Sequence, residues 1–338
     1  MKAVALTRYL PSSDPEALLD VELPAPEATG RDLLVAVRAV AVNPVDTKVR
    51  APKTKVEPAP RVLGWDAAGV VVAVGPDVTL FRPGDEVFYA GDLTRPGSNA
   101  ELQLVDERIV GTKPKSFIFA EAAALPLTAI TAYEAFFDRL RIDPGGGDAG
   151  ESLLVIGGAG GVGSIGIQLA KLAGLRVIAT ASRPASSAWV TALGADHVVS
   201  HTEPLRPQIE ALGLTYVDHV AIFNDTDGHW DAATDLVRLQ GAIVSIVENR
   251  GPLDQALLKR KSATFVWEFM FTRSMFQTPD MVKQHELLER VSAWVDDGAL
   301  RTTANGAPKA IRAANLRAAH RALEAGGAIG KLVFEGWG

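Results

Sequence analysis

Residues 153–164, Leu-Leu-Val-Ile-Gly-Gly-Ala-Gly-Gly-Val-Gly-Ser, constrain the fold of this chain more than any other stretch. A continuous apolar run enters a glycine-rich turn, and the turn opens a helical period from Ile165 to Ala173. A run that is apolar at every position suits a strand of a parallel sheet, covered on both faces. Gly158, Gly160 and Gly163 then fall in the order Gly-x-Gly-x-x-Gly. Glycine there keeps the turn tight, lets backbone N–H groups approach a pyrophosphate, and lets the helix pack closely on the strand. Ala159, Gly161 and Val162 complete the loop, and Arg176–Ala181 supplies a second strand at βαβ spacing. The expectation is an α/β chain with a Rossmann doubly wound parallel sheet that binds a dinucleotide.

Residues 152–170 carry no charge, nearly the length of a membrane span. Six glycines within them and Lys171 directly after fit a buried strand and phosphate turn far better than a spanning helix.

The residues after the second strand select the cofactor. NAD-selective sites carry an acid about twenty residues beyond the glycines, where it holds the ribose 2′-OH. Here the stretch is Ile178-Ala-Thr-Ala-Ser-Arg-Pro184, with no acid. A carboxylate would repel a 2′-phosphate, whereas the Ser182 hydroxyl and Arg183 guanidinium would bind one. NADPH is therefore expected; the competing reading makes Arg183 a solvated turn residue.

At 338 residues the chain fits two domains, and 47% hydrophobic with 22% charged residues is ordinary for a soluble protein. A net charge of −6 gives no electrostatic footprint for nucleic acid. With no cysteine, disulfides, thiol nucleophiles and thiolate metal sites are excluded. Arg8 and Pro11 interrupt the first apolar run before a signal-peptide core forms, so a cytoplasmic protein, neither secreted nor membrane-bound, is expected.

Residues 1–125 read as short strands between turns, among them Met1–Arg8, Leu33–Val40, Ala68–Val74 and Glu86–Tyr89, with Pro24, Pro26, Pro44, Pro58 and Pro60 cutting the rest into loops. Helical character begins at Phe119 and runs, past Pro126, to Leu140. Strands and helices then alternate: Arg176–Ala181, Ala185–Leu193, Val198–Val199, Val217–Asn224, Trp230–Leu239 and Gly241–Val247. The tail, with helices at Met281–Trp294 and Ala310–Leu323 and a strand at Lys331–Phe334, does not extend that alternation. The expected division is 1–125 as the first part of a mostly-β catalytic domain, 126–270 as the dinucleotide domain, and 271–338 as a return to the first.

An ordered set of segments spans nearly the whole chain: Val42–Arg50, Leu63–Gly69, Phe81–Val87, Ala122–Leu127, Thr131–Tyr133, Gly158–Gly163, Leu193–Asp196 and Gly330-Lys331. Together they resemble the medium-chain dehydrogenase/reductase superfamily, in particular its zinc-free quinone oxidoreductase branch and the bacterial subgroup called zinc-type alcohol dehydrogenase-like. The resemblance implies a Rossmann domain plus a discontinuous GroES-like mostly-β domain. The subgroup's label implies zinc, and the residues argue against it. Where zinc-dependent relatives place Cys, His and Cys, this chain has Asn43, Trp65 and Leu127. Asp66 matches an acid of that motif, but one carboxylate makes no metal site. The histidines at 197, 201, 219, 229, 285 and 320 lie outside it, and the His197/His201 spacing falls across a strand. No metal is expected.

Without a Lewis acid, the site suits an acceptor that is already electron-poor and takes hydride without a metal-bound alkoxide, so a quinone or an α,β-unsaturated carbonyl is the expected small-molecule partner. The resemblance places Asn43 and Thr128 beside the nicotinamide and its ribose. Asn43 also fits a turn residue bonded to backbone, and Thr128 a helix N-cap. Lys48 stands where many relatives carry Tyr and is the candidate to stabilise an anion or donate a proton. Asp46 is a candidate to orient Lys48 or Arg50, or a plain loop acid. Asn224, Thr226, Ile246 and Lys331 are further cofactor candidates, and Asp46, Trp65, Tyr89 and Trp267 line the expected substrate pocket. Val266–Phe271 reads as an edge strand that pairs across a homodimer, as relatives do, or as a substrate wall; alternation would set Trp267, Phe269 and Phe271 on one face, and simple core packing is the competing reading. The rivals to a quinone or enone reductase are an alcohol or aldehyde oxidoreductase, an enoyl-thioester reductase, and a non-catalytic NADPH-binding regulator.

Overall fold

In the computed structural model, which describes all 338 residues, the first strands are β1 (Lys2–Tyr9), β2 (Leu19–Glu22), β3 (Asp32–Val42) and β4 (Lys53–Val62). β1 pairs antiparallel with β2 and β4 in a three-stranded sheet. β3 enters a second sheet, pairing antiparallel with β5 (Ala67–Val74) and β7 (Leu102–Asp106); β6 (Glu86–Tyr89) and β8 (Val110–Thr112) continue it beyond β5.

Two of the prolines expected in loops, Pro58 and Pro60, lie inside β4. That strand is the edge of its sheet, where a missing N–H need not break a ladder. Its pairing with β1 runs through Val62, Arg61, Val56 and Lys53, with register shifts that pass over both prolines. Pro44 is not in a loop either. It opens α1 (Pro44–Arg50), at the first helical position, where its absent N–H has no partner to lose. The helical stretch after Phe119 is α2 (Phe119–Ala123), α3 (Pro126–Tyr133) and a π-helical turn, Glu134–Arg139.

The expected strand before the glycine turn is β9 (Ser152–Ile156), buried at every position. It is followed by α4 (Gly161–Leu172), β10 (Arg176–Thr180), α5 (Pro184–Ala192), β11 (His197–Val199), α6 (Leu205–Ala211), β12 (Val217–Ile222), α7 (Thr226–Leu236), β13 (Val237–Ser245), α8 (Ala256–Lys259) and β14 (Thr264–Trp267). All six strands are parallel, in the order β11-β10-β9-β12-β13-β14. The chain turns one way from β9 and later the other, so the strand order reverses beside β9. This is the Rossmann arrangement, with its crevice at the carboxyl end of that strand. Leu154, Ile156, Ile178, Val220, Ile222, Trp230 and Ile243 pack one core against this sheet.

Three local expectations are corrected. α7 starts and ends earlier than Trp230–Leu239, because Val237 is taken by β13 to pair with Val217. α6 was not expected; Pro207 falls in its first turn, where proline is tolerated. β14 ends at Trp267, so the alternation assumed for Val266–Phe271 stops there. Trp267 and Phe269 are partly exposed, whereas Met270 and Phe271 are buried.

The tail forms α9 (Thr272–Met275), α10 (Lys283–Asp296), β15 (Lys309–Ile311), α11 (Ala313–Glu324) and β16 (Leu332–Trp337). β16 pairs antiparallel with β3, Leu332 opposite Val42 and Phe334 opposite Val40. Residues Met1–Ile130 and Phe271–Gly338 make one unit, and Thr131–Met270 the other. No helix is long and apolar enough to cross a membrane.

Candidate active site

The glycine turn sits at the end of β9. Gly157 has φ of +89°, a conformation that side chains disfavour, and its N–H donates to Thr180 Oγ1 at 2.9 Å. Gly160 caps α4 in an extended conformation. A Cβ on Gly163 would lie 2.4 Å from the carbonyl oxygen of Gly157, and one on Gly158 would lie 2.9 Å from Ala179 Cβ. Ala159 is buried, and Gly161 and Val162 are half-buried in the first turn of α4. The cradle therefore has the shape that a pyrophosphate needs, at the positive end of a twelve-residue helix. These residues fit a dinucleotide.

Ser182 and Arg183 follow β10, on the strand beside β9, and both are exposed. Arg183 caps α5, and its N–H donates to Ser186 Oγ at 3.1 Å. Asn224, after β12, is exposed and lies against the glycine turn; its Cβ is 3.3 Å from where a Gly157 Cβ would stand. Thr226 is buried, with its hydroxyl shared between Ser245 Oγ at 2.6 Å and the Val247 carbonyl, which ties α7 to β13. Ile246 is half-buried directly after β13. Trp267 is partly exposed at the end of edge strand β14, its ring edge-on to Phe265.

In the other unit the fold brings Asn43, Asp46, Trp65, Asp66 and Lys331 together. Asn43 follows β3 and caps α1, the Trp65–Asp66 pair precedes β5, and Lys331 precedes β16, which pairs with β3. The Lys331 ammonium donates to Asp66 Oδ2 at 2.7 Å and to Asn43 Oδ1. The Asn43 amide donates to Asp66 Oδ2 at 2.8 Å and to the Trp65 carbonyl at 3.2 Å. Asp66 Oδ1 accepts the Leu127 N–H at 2.8 Å, in the first turn of α3. Asp46 Oδ2 accepts the Asn43 N–H at 2.6 Å. Lys331 is 3% exposed and Asp66 0%. Burial pushes the Asp46 carboxyl up to about 7, with the Asn43 N–H and the Lys331 charge opposing and the Asp66 charge adding. Burial also raises Asp66, against the pull of Lys331.

Asp46 does not orient its helix neighbours. Arg50 instead meets Glu324, the Leu10 carbonyl and, at 3.1 Å, His320 Nδ1, while Lys48 is exposed on α1. Thr128 lies inside α3 rather than at its N-cap, its hydroxyl donating to the Leu125 carbonyl at 3.0 Å. Trp65 is fully enclosed, donating to the Asp92 carbonyl at 3.1 Å with its ring edge-on to Phe271. Tyr89 is also fully enclosed; its hydroxyl has no partner, and burial raises its ionisation well above the usual range.

The Asp66–Lys331 pair is not evident from the sequence alone. One signal for it was present: an aspartate inside the otherwise apolar run Leu63-Gly-Trp-Asp-Ala-Ala68 needs a buried counter-charge. Nothing local says that the cation comes from 265 residues away.

The same geometry bears on zinc. No group of three or more His, Cys, Asp or Glu side chains is placed to hold a metal. Of the positions that resemblance aligns with ligands, Trp65 and Leu127 offer no donor, the Asn43 amide is engaged, and the nearby carboxylate already holds an ammonium. This donor set does not fit a zinc ion.

A parallel sheet with a dinucleotide turn, joined to a discontinuous mostly-β unit, defines a nicotinamide-dependent oxidoreductase. The models for the alcohol dehydrogenase GroES-like domain and for zinc-binding dehydrogenases match residues 29–130 and 193–334. A zinc-type alcohol dehydrogenase-like protein of Staphylococcus aureus is 47% identical over 312 residues, 92% of each chain. An NADPH-dependent alkenal/one oxidoreductase of Arabidopsis thaliana is 38% identical over 237 residues, 68% of this chain and 58% of its own. Among solved structures, a putative zinc-dependent alcohol dehydrogenase from Rhizobium etli is 53% identical with a TM-score of 0.94, covering 100% of this chain and 98% of its own. The chain belongs to the medium-chain dehydrogenase/reductase family.

Proposed function

We propose that this protein is a zinc-independent, NADPH-dependent reductase of quinones or α,β-unsaturated carbonyls. The observation that carries the reading is the buried Lys331–Asp66 pair: an ammonium already occupies the carboxylate of the motif, and Trp65 and Leu127 beside it offer no donor. A saturated alcohol or aldehyde depends on a Lewis or Brønsted acid to polarise its C–O bond; a conjugated acceptor spreads the incoming charge over its own π-system and asks less of the site. NADPH, when bound, supplies the hydride. The chain's residues then hold and orient. The N–H groups of the Gly158–Gly163 turn meet the pyrophosphate, Ser182 and Arg183 meet the 2′-phosphate, and no acid in 178–184 repels it. Asn224 and Ile246 flank the dinucleotide, and the family resemblance assigns Asn43 and Thr128 to its nicotinamide end. Lys48, exposed on α1, is the group free to meet the acceptor's developing oxyanion. The name of the Arabidopsis relative supports both the cofactor and the acceptor class. A second copy of the chain docks on edge strand β14, where Trp267 and, just beyond the strand, Phe269 are 42% and 47% exposed.

The test is NADPH oxidation against an ortho-quinone, a para-quinone, an alkenal and a saturated aldehyde, with NADH in parallel. Turnover of the conjugated acceptors with NADPH preferred supports the reading. Turnover of the saturated aldehyde alone overturns it, and tight NADPH binding with no turnover favours a regulator.

A further inference from the structure

Burying an ammonium and a carboxylate together is seldom more stable than packing apolar groups in the same volume, so this pair calls for a reason beyond stability. Lys331 and Asp66 are 3% and 0% exposed, and their side chains reach two other segments, at Asn43 and Leu127. Asn43 has both amide hydrogens engaged, by Asp66 Oδ2 and the Trp65 carbonyl, and its Oδ1 faces the ammonium. Rotating that amide by half a turn would set its NH₂ against the ammonium and its oxygen against the carboxylate. The network therefore permits one orientation only.

The other oxygen of Asp66 accepts the Leu127 N–H. The first N–H groups of a helix have no partner within it. In α3, Pro126 has none to offer, so Asp66 satisfies Leu127 from a distant segment and sets a negative charge at the helix's positive end. Thr128 is the next residue of that turn. One ion pair thus fixes both the Asn43 side chain and the turn that carries Thr128.

We propose that Lys331 is a positioning residue: held on Asp66, its ammonium orients Asn43 and the Leu127–Thr128 turn for the nicotinamide end of the cofactor. The inference rests on the reading of Asn43 and Thr128 given above, and it assigns the chain's own cation the organising work at a centre unsuited to a metal. Without Lys331 the buried Asp66 carboxyl takes up a proton and no longer holds the amide in one sense. A purely structural brace would look the same in the resting fold, and the variants below separate the two.

The experiment compares Lys331→Met, Asp66→Asn, the double variant and Lys331→Arg. Each is read by melting temperature, by NADPH affinity from cofactor fluorescence, and by kcat and KM with phenanthrenequinone. Lys331→Met leaves an unpaired buried acid and should melt earlier. The double variant removes both charges and should regain the wild-type melting temperature. It should still bind NADPH about tenfold more weakly, with kcat down ~10-fold to 100-fold and KM for the quinone nearly unchanged. Lys331→Arg should recover part of the loss. A double variant that regains melting temperature and NADPH affinity together overturns the proposal and leaves the pair a brace. If the wild type binds NADPH but reduces no acceptor, the reductase reading fails while the affinity comparison still decides the positioning claim.

Discussion

Replacing Glu268 by Gln should stabilise the protein, and by more as the pH rises. Glu268 follows β14 and is 2% exposed, and Glu134, on the π-helical turn, is fully buried. Arg139 Nε lies 2.8 Å from Glu268 Oε2, and the same guanidinium is 4.0 Å from Glu134. Two buried acids therefore share one cation. Burial pushes Glu268 up to about 9, with the Glu134 charge adding and Arg139 opposing. Because the folded value lies above the unfolded one, the stabilising protonation is fully present below about pH 4.5 and is lost as the pH climbs toward 9. At roughly 1.4 kcal/mol per unit, that window holds ~6 kcal/mol for the pair. The two acids titrate as a coupled pair, so the part of it released by neutralising Glu268 alone is smaller, on the order of 3 kcal/mol. Gln keeps the volume and stays neutral, and Arg139 keeps Glu134 as counter-charge. At about 2 °C per kcal/mol for a chain of this size, Glu268→Gln should melt ~6 °C above the wild type at pH 9 and close to it at pH 5. Thermal melts at pH 5, 7 and 9 check this. Parallel curves for the two proteins, or a variant less stable at pH 9, would refute the reasoning.

Other substitutions test other parts of the account. Arg183→Ala should weaken NADPH binding about tenfold or more and leave NADH nearly unchanged, as read by fluorescence titration with each cofactor; equal losses would remove Arg183 from the 2′-phosphate. Gly163→Ala sets a methyl 2.4 Å from the Gly157 carbonyl oxygen and should abolish cofactor binding while the melting curve stays cooperative. His320 is enclosed, its ionisation lowered to about 3 by burial and by the adjacent Arg50 charge. Stability should therefore fall as the pH drops from about 6.5 toward 3, and His320→Gln should flatten that slope in urea titrations.

The parts of the fold legible in the sequence are those set by local chemistry. The glycine turn needs only its own residues, since a Cβ at Gly163 or Gly158 meets neighbours from the same βαβ unit. The buried parallel strands announce themselves as runs such as Leu153–Ile156, apolar throughout. Where long-range partners decide, the reading falls short. Pro58 and Pro60 look like loop residues until the sheet makes β4 an edge. Trp267, Phe269 and Phe271 alternate in sequence, but β14 stops at Trp267 and Phe271 turns inward to Trp65. The candidate site divides in the same way. Gly158–Gly163 could be read directly, whereas the Asp66–Lys331 pair depends on β16 returning beside β3.

The most direct test of zinc-independent reduction is the rate of NADPH oxidation with an enone by protein dialysed against a strong chelator, its zinc content measured by elemental analysis on the same sample. The account predicts an undiminished rate with far less than one zinc per chain, and no gain when zinc is added back. Activity that disappears with the metal and returns with it would contradict the account at its centre.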